Sequence, residues 1–401
     1  MLSPNTFALT ALLALLTALG PLAMDLYLPS LPAIAAAFGA PLADVQLTIS
    51  SYLIGFAGGQ ILYGPLSDRF GRKPVLLGAL AIFCLATMIT FAAPSVAALI
   101  AARTLQGMGA AGSTVLSRAI VRDLYEGPRA GRELSLMGAI MGVTPIVAPV
   151  IGGVTQTAFG WRFGFILIFV AGTATITAVW HLLPETARMN EERGESLRAL
   201  IGSYLTILKN RSFLAHLGIA TTTYCGLFAY ISGSSFVLQD LYGLSPFAFG
   251  MFYGVTSFGF IAGTLLASHA VIRHGFDWTI GLGAAALATG GALLTVVGAI
   301  LPTEVVALVP PIMLFSAGIG LSLPLALAGS LQPFPDRAGA ASSLVGAIQQ
   351  AAGAVAGAIV GHLLGATAWP MIIGIAAMGW LTLLLWLFTR KIRAHAFKPR
   401  T

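Results

Sequence analysis

Asp25 is the single charged side chain between Asn5 and Ala43, in a run reading NTFALTALLALLTALGPLAMDLYLPSLPAIAAAFGAPLA. A carboxylate at the centre of a membrane helix costs about 2.5–3.5 kcal/mol or more, so its presence there points to function. It can hold a proton and release it, which makes Asp25 the first candidate for an energy-coupling site. Arg103 is the cationic counterpart, in Arg103-Thr-Leu-Gln106-Gly107-Met-Gly109-Ala-Ala-Gly112. Gln106 follows one helical turn later and shares its face. An unpaired arginine at this depth is costly, so Arg103 is expected to face water or Asp25. Snorkelling to the outer interface is the plain alternative. A third group is Gly64-Pro-Leu-Ser-Asp68-Arg69-Phe-Gly71-Arg72-Lys73-Pro74. Its glycines permit a tight turn, and Asp68 can cap a helix or pair with a neighbouring arginine.

The elements that hold these groups must be membrane helices. The chain is 57% hydrophobic and only 9% charged, where soluble domains carry about 25% charged residues. Mean hydropathy is +0.90. Glycine is abundant, 47 residues of 401, as expected where helices approach closely without a hydrophobic drive between them. Cys84 and Cys225 fall in apolar runs of opposite halves, so neither a disulfide framework nor a metal cluster is expected. Met1-Leu2-Ser3-Pro4 lacks the basic start of a cleavable signal.

A span needs about 20 apolar residues. On that basis twelve are expected, near 7–35, 44–64, 75–93, 97–118, 133–157, 162–183, 212–238, 247–271, 278–299, 304–328, 339–363 and 369–389. The fold class is therefore an all-α membrane protein. With both termini inside, every Lys and Arg except Arg103 and Arg162 falls on the cytoplasmic side. The positive-inside rule accounts for a pI near 9.7, and no nucleic-acid partner is needed. The histidines at 181, 216, 269 and 274 fall near span ends and read as interfacial. His362, near the outer end of span eleven, is a minor candidate for a proton relay.

The long polar segment 184–211 divides two six-helix bundles, 1–183 and 212–390, with a tail at 391–401. Within it Leu197, Leu200, Ile201, Tyr204, Leu205 and Leu208 recur at helical spacing, which predicts an amphipathic surface helix. The halves are related: Arg129-Ala-Gly-Arg-Glu-Leu-Ser-Leu-Met-Gly-Ala-Ile140 matches Arg337-Ala-Gly-Ala-Ala-Ser-Ser-Leu-Val-Gly-Ala-Ile348 at most positions. Arg69-Phe-Gly71 likewise answers Arg273-His-Gly275, and Phe38-Gly39 answers Tyr242-Gly243. Parallel repeats of this kind place a substrate site near the midplane and allow rocking-type alternating access.

The Gly64–Pro74 loop resembles the motif between spans two and three of the major facilitator superfamily, and the resemblance extends over essentially the whole chain. It implies a conformational latch built from Gly64, Asp68, Arg69, Gly71 and Arg72, with Asp123 as partner. In the second half Ile272 and Phe276 stand where Asp68 and Arg72 would be, so the latch is expected in the first half alone. Arg103 and Gln106 resemble the superfamily's intramembrane arginine motif. Span five carries Gly142-Val-Thr-Pro145-Ile-Val-Ala-Pro149-Val-Ile-Gly152-Gly153, which is similar to the antiporter motif of its exporters, with Ala148 in place of the usual first glycine. Two prolines bend a helix by removing donors. The second-half copy has Gly353 and Gly357 at these positions, so the bend is expected in the first half only.

Pro21-Leu-Ala-Met-Asp25-Leu-Tyr27-Leu-Pro29-Ser-Leu-Pro32, with Arg122-Asp123-Leu-Tyr125, narrows the resemblance to the bicyclomycin and chloramphenicol resistance (Bcr/CflA) subfamily of drug:proton antiporters. It implies a monomeric exporter of small apolar antibiotics in the bacterial inner membrane, working with protons and needing no cofactor or metal. Asp25, Tyr27, Tyr52, Phe56, Gln106, Tyr224, Phe228 and Tyr230 are the candidate substrate contacts, and Asp25 with Arg103 the proton-coupling pair. Aromatics in membrane helices also pack against neighbours and lipid, which is the plain reading of each. With one intramembrane acid, about one proton is expected per cycle. A metabolite or amino-acid exporter is the rival within this fold, since fold does not fix substrate. A membrane enzyme or sensor would need a nucleophile–base pair or a metal cluster at depth. ATP-driven transport would need a G-x-x-x-x-G-K-[ST] loop. The sequence contains none of these.

Overall fold

The computed structural model describes residues 6–125, 127–187 and 197–394, and every regular element among them is helical. The linker residues 188–196 and the tail beyond Ala394, with Lys398 and Arg400, lie outside the described residues. The chain separates into two compact units, Met1–Ala199 and Leu200–Thr401.

The first unit contains α1 (Phe7–Asp25), α2 (Leu31–Phe38), α3 (Leu42–Phe70), α4 (Arg72–Phe91), α5 (Val96–Leu124), α6 (Gly127–Phe159) and α7 (Phe163–Leu182). The first span is expected as one helix but is broken after Asp25, with a 3₁₀ turn at Leu28–Ser30 before α2. Proline is the cause. Pro29 has no N–H to return to the Asp25 carbonyl, and Pro32 none for Leu28. α6 continues as one helix through Pro145 and Pro149.

α5 is the central helix of the unit, packed against α1, α3 and α4, while α6 lies along α1. The α3–α5 crossing is set by two glycines facing opposite ways. A Cβ on Gly55 would overlap the Thr104 carbonyl, and one on Gly107 would overlap the Tyr52 carbonyl. Backbone atoms cannot turn aside as side chains do. Gly107→Leu should therefore cost more than the roughly 1–3 kcal/mol of ordinary overpacking. The expected result is loss of the monodisperse peak in size-exclusion chromatography; an unchanged melting temperature would contradict this packing.

The second unit contains α8 (Leu197–Leu208, crossing the boundary), α9 (Arg211–Phe236), α10 (Pro246–His274), α11 (Phe276–Ile300), α12 (Val309–Leu331), α13 (Ala338–Leu363), α14 (Trp369–Phe388) and α15 (Arg390–Ala394). The repeat is visible in its packing. Gly259 and Gly263 of α10 meet the Met313 and Ala317 carbonyls of α12, as Gly55 and Gly59 meet Thr104 and Met108. Residues 197–208 form the expected helix, and among its described side chains Ile207 joins Tyr204 and Leu208 on the packed side. Ile207 is fully buried beside Phe213, Leu217 and Ala341, with Tyr204 and Leu208 against them, while Leu205 is exposed. That side packs on the start of α9 and on α13.

Among the described residues eleven helices are long and apolar enough to cross a membrane. α5 is the remaining expected span. It has 29 residues, about 43 Å of helix, and Arg103, Gln106 and its glycines hold its hydropathy down. The fold is an all-α, multi-pass membrane architecture.

Candidate functional site

Arg103 on α5 is completely buried, so it does not snorkel. Its Nη1 donates to the Ala23 carbonyl of α1 at 3.2 Å and to Gln106 Oε1 at 2.6 Å. Gln106 Nε2 in turn donates to Thr87 Oγ1 of α4 at 2.7 Å, which fixes the amide's orientation. The guanidinium carbon stands 4.6 Å from the Tyr27 ring centre and 4.4 Å from that of Tyr52, within the range of cation–π attraction. The tyrosines are tethered in their turn. Tyr27 Oη lies 2.8 Å from Thr48 Oγ1, and Tyr52 Oη donates to the Gly20 carbonyl at 3.0 Å. Phe56 continues this wall, 6.3 Å from Tyr52 and against Gly20.

Asp25 is 6% exposed and makes no ion pair with Arg103, so the expected pairing is not the arrangement found. The arginine instead uses a backbone carbonyl two residues before Asp25, one amide and two ring faces. Its Nε and Nη2 are buried without a hydrogen-bond partner. Leaving buried donors of a charged group unsatisfied costs about 1–3 kcal/mol or more, and an acceptor brought to them recovers it. Tyr52 lies within electrostatic reach of both Asp25 and Arg103. α6 holds the broken end of α1 in place. A Cβ on Gly152 of α6 would overlap the Leu26 carbonyl, and Ser30 Oγ donates to Gln156 Oε1 at 3.1 Å. Gly152 thus lets α6 touch the backbone next to Asp25. Pro149 and Gly153 are buried nearby in sequence, while Gly142 and Pro145 are half-buried.

The loop motif forms a charge cluster. Arg72 Nε donates to Asp123 Oδ2 at 2.9 Å, and its Nη1 to Asp68 Oδ1 at 2.5 Å and Ser67 Oγ at 2.6 Å. Gly71 adopts φ +93°, a conformation disfavoured for other residues. Ser67 Oγ donates to the Gly64 carbonyl at 2.9 Å. Among the described residues Arg69 makes no ion pair, and it lies over Phe70 at 5.2 Å, apart from the cluster. A residue missed in the sequence completes it. Glu185 accepts from the backbone amides of Arg72 at 2.9 Å and Lys73 at 3.1 Å, capping α4 where Gly71 has no side chain to do so. Thr186 Oγ1 reaches Asp123 Oδ2 at 3.3 Å, and Lys73 Nζ donates to the Trp180 carbonyl at 2.8 Å. The signal was Pro184-Glu185-Thr186 directly after an apolar run, read there as the start of a linker.

The second half has a charge pair of its own, outside the motif positions 272 and 276. Asp277, at the start of α11, accepts from Arg393 Nε of α15 at 2.6 Å, and its carbonyl accepts from Trp386 Nε1 at 3.1 Å. By the repeat, Asp277 stands where Lys73 does, and Trp386 occupies the place of Trp180 one helix end later. Arg393 is fully buried and bonds Thr389 Oγ1 as well. Removing such a charge-assisted bond typically costs about 1.5–3 kcal/mol. Asp277 is 32% exposed, so Arg393→Ala is expected at the lower end of that range. A lower melting temperature, restored in part by Arg393→Lys, is the check.

The second-half aromatics divide into two groups. Tyr224 and Phe228 lie 4.8 Å apart against Gly353, with Tyr224 Oη donating to Gln350 Oε1 at 2.8 Å. Tyr230 belongs elsewhere: it stacks on Tyr253 at 5.3 Å, and its Oη lies 3.1 Å from Thr256 Oγ1 of α10. It packs helix to helix rather than joining the other two. His216 is fully buried, with Nδ1 2.9 Å from the Ser212 carbonyl, and so is not interfacial. Cys84 and Cys225 are buried free thiols. Among the described residues no cluster of His, Cys, Asp or Glu could hold a metal ion.

Comparison with known proteins gives the same architecture. The chain is 33% identical over 359 residues to the uncharacterized MFS-type transporter YdgK of Bacillus subtilis, covering 88% of each chain. It is 30% identical over 393 residues to multidrug resistance protein D of Escherichia coli, covering 98% of each. The xylose transporter XylE, in a partially occluded inward-open conformation, superposes with a TM-score of 0.74 at 17% identity, covering 98% of both chains. Residues 13–357 match the Major Facilitator Superfamily profile, and the chain belongs to that family of transporters.

Proposed function

We propose that this transporter exports small apolar drugs from the bacterial cytoplasm in exchange for protons, with both termini cytoplasmic. One observation carries the reading. A fully buried arginine lacks a carboxylate partner, yet binds the carbonyl two residues before the acid at the helix break. A drug acceptor or the Asp25 carboxylate could each satisfy its open donors, and competition between them is what exchange at one site requires. Tyr27, Tyr52 and Phe56 give that site the aromatic walls an apolar ligand needs. Tyr224, Phe228 and Gln350 are the corresponding candidates in the second half. A relative is named a multidrug resistance protein, which agrees in substrate class.

The test is a drug-susceptibility panel in a strain without its own exporters, with and without a protonophore. Protection that the protonophore removes is expected for phenicol-like antibiotics. Protection against no drug, or protection that survives the protonophore, would overturn the reading.

A further inference from the structure

Glu133 is a buried acid that the proposed cycle does not use. It opens the described apolar face of α6 and is 8% exposed, accepting from Thr10 Oγ1 of α1 at 2.6 Å. Its sequence context gave no hint of this, because an acid beside Arg132 at a span end reads as solvated. The ion pairs among the described residues are Arg72–Asp68, Arg72–Asp123 and Arg393–Asp277, and Glu133 enters none of them. Cations stand near the same helix ends in the sequence. α5 brings Arg118 and Arg122 to this end, with Asp123, and α6 itself carries Arg129 and Arg132. His181 ends α7, and α1 has no charged group before Asp25. A buried carboxylate is ordinarily paired, and leaving it unpaired is costly.

Glu133 and Asp25 stand at opposite ends of the same α1–α6 seam. Thr10 meets Glu133 at one end, and Leu26 meets Gly152 at the other. Thr17 lies between on α1, with its hydroxyl 2.9 Å from Ser117 Oγ of α5. Both Thr10 and Thr17 are buried in an otherwise apolar stretch. The run from Thr10 to Asp25 spans about 22 Å of helix.

We propose that Glu133 is the relay carboxylate of the proton pathway, taking up the proton that leaves Asp25 and passing it to the cytoplasm. This rests on the proton-coupled reading above. The positive-inside rule loads this mouth with arginine, which repels a departing proton, and Glu133 is the acceptor that offsets it. In the step, protonated Asp25 becomes carboxylate, and the proton travels through water to the Glu133 carboxylate. Neutral Glu133 then yields it to cytoplasmic solvent. One proton still crosses per cycle, because the second acid receives what the first releases. Thr10 is a positioning residue that aims the carboxylate across the seam.

The experiment uses full-length protein in proteoliposomes, with chloramphenicol as probe, in two assays. One is accumulation driven by a pH gradient; the other is drug counterflow with no gradient, which needs no net proton release. Glu133→Gln should lower the first by about tenfold or more, the scale of a lost proton-transfer group. It should leave counterflow within about twofold of wild type. Glu133→Asp should recover most of the loss. An equal fall in both assays would mark Glu133 as a packing clip and overturn the proposal, as would undiminished gradient-driven transport. Wild-type protein with counterflow but no gradient-driven accumulation would instead overturn the proton-coupled reading, and the relay with it.

Discussion

Replacing Asp25 with asparagine is expected to abolish gradient-driven export while leaving the protein in the membrane. The amide nearly matches the carboxyl in size, so the broken end of α1 keeps its contacts with Gly152 and Gln156. An amide cannot alternate between neutral and charged forms, however, and the exchange of proton for drug loses its switch. Inverted vesicles give the measurement, with a neutral drug and either a pH gradient or a membrane potential imposed alone. One proton exchanged for a neutral molecule moves charge, so wild-type protein should respond to both forces. Asp25→Asn should respond to neither, although exchange of drug across the membrane without a gradient can persist. Accumulation by Asp25→Asn at the wild-type rate would show that the coupling group lies elsewhere.

Arg72→Ala is expected to have the second-largest effect, and through a different quantity. Arg72 holds Asp68 and Asp123 together, and removing it leaves both acids without their cation. Asp68 is 54% exposed and Asp123 22%, so water compensates much of the loss and the fold should survive. If the cluster forms in one of the two access states only, its loss biases their equilibrium by about 1–3 kcal/mol, or roughly 5–150-fold. Transport should fall accordingly, and an engineered cysteine on the outer side should change its labelling rate. The latch reading fails if Arg72→Ala, expressed at wild-type level, transports and labels as wild type does.

Much of the membrane architecture was legible because it depends on composition over long windows. Spans of about 20 apolar residues and arginines at their ends survive small errors of boundary. What was not legible depends on which way single side chains turn. Arg103 and Asp25 were identified as the deep charges, but two tyrosine rings and the Ala23 carbonyl hold the arginine rather than the acid. Spacing along a sequence contains no information about partners on another helix. Glu185 and Arg393 escaped notice for the same reason, since each acts on a helix start more than a hundred residues earlier. Glu133 escaped because acids at span ends are usually solvated, and only packing against α1 shows otherwise. On α8, Ile207 was missed because it falls outside the regular stripe, and it is buried by Phe213 and Ala341.

The modest hydropathy of α5 has a consequence for how the protein is made. A segment leaving the ribosome enters the bilayer on its own only when its side chains favour lipid over water, and an arginine within the span opposes this, by up to about 2.5–3.5 kcal/mol at the helix centre. α5 carries that arginine, a glutamine and three residues with no side chain at its centre. Its stability in lipid therefore depends on neighbours already synthesised. α3 and α4 cover its glycines, α4 supplies the Thr87 hydroxyl for Gln106, and α1 supplies the carbonyl for Arg103. All three precede α5 in the chain, so each partner is at hand when the least lipid-soluble span emerges. The order of the helices along the gene is thus also an order of assembly.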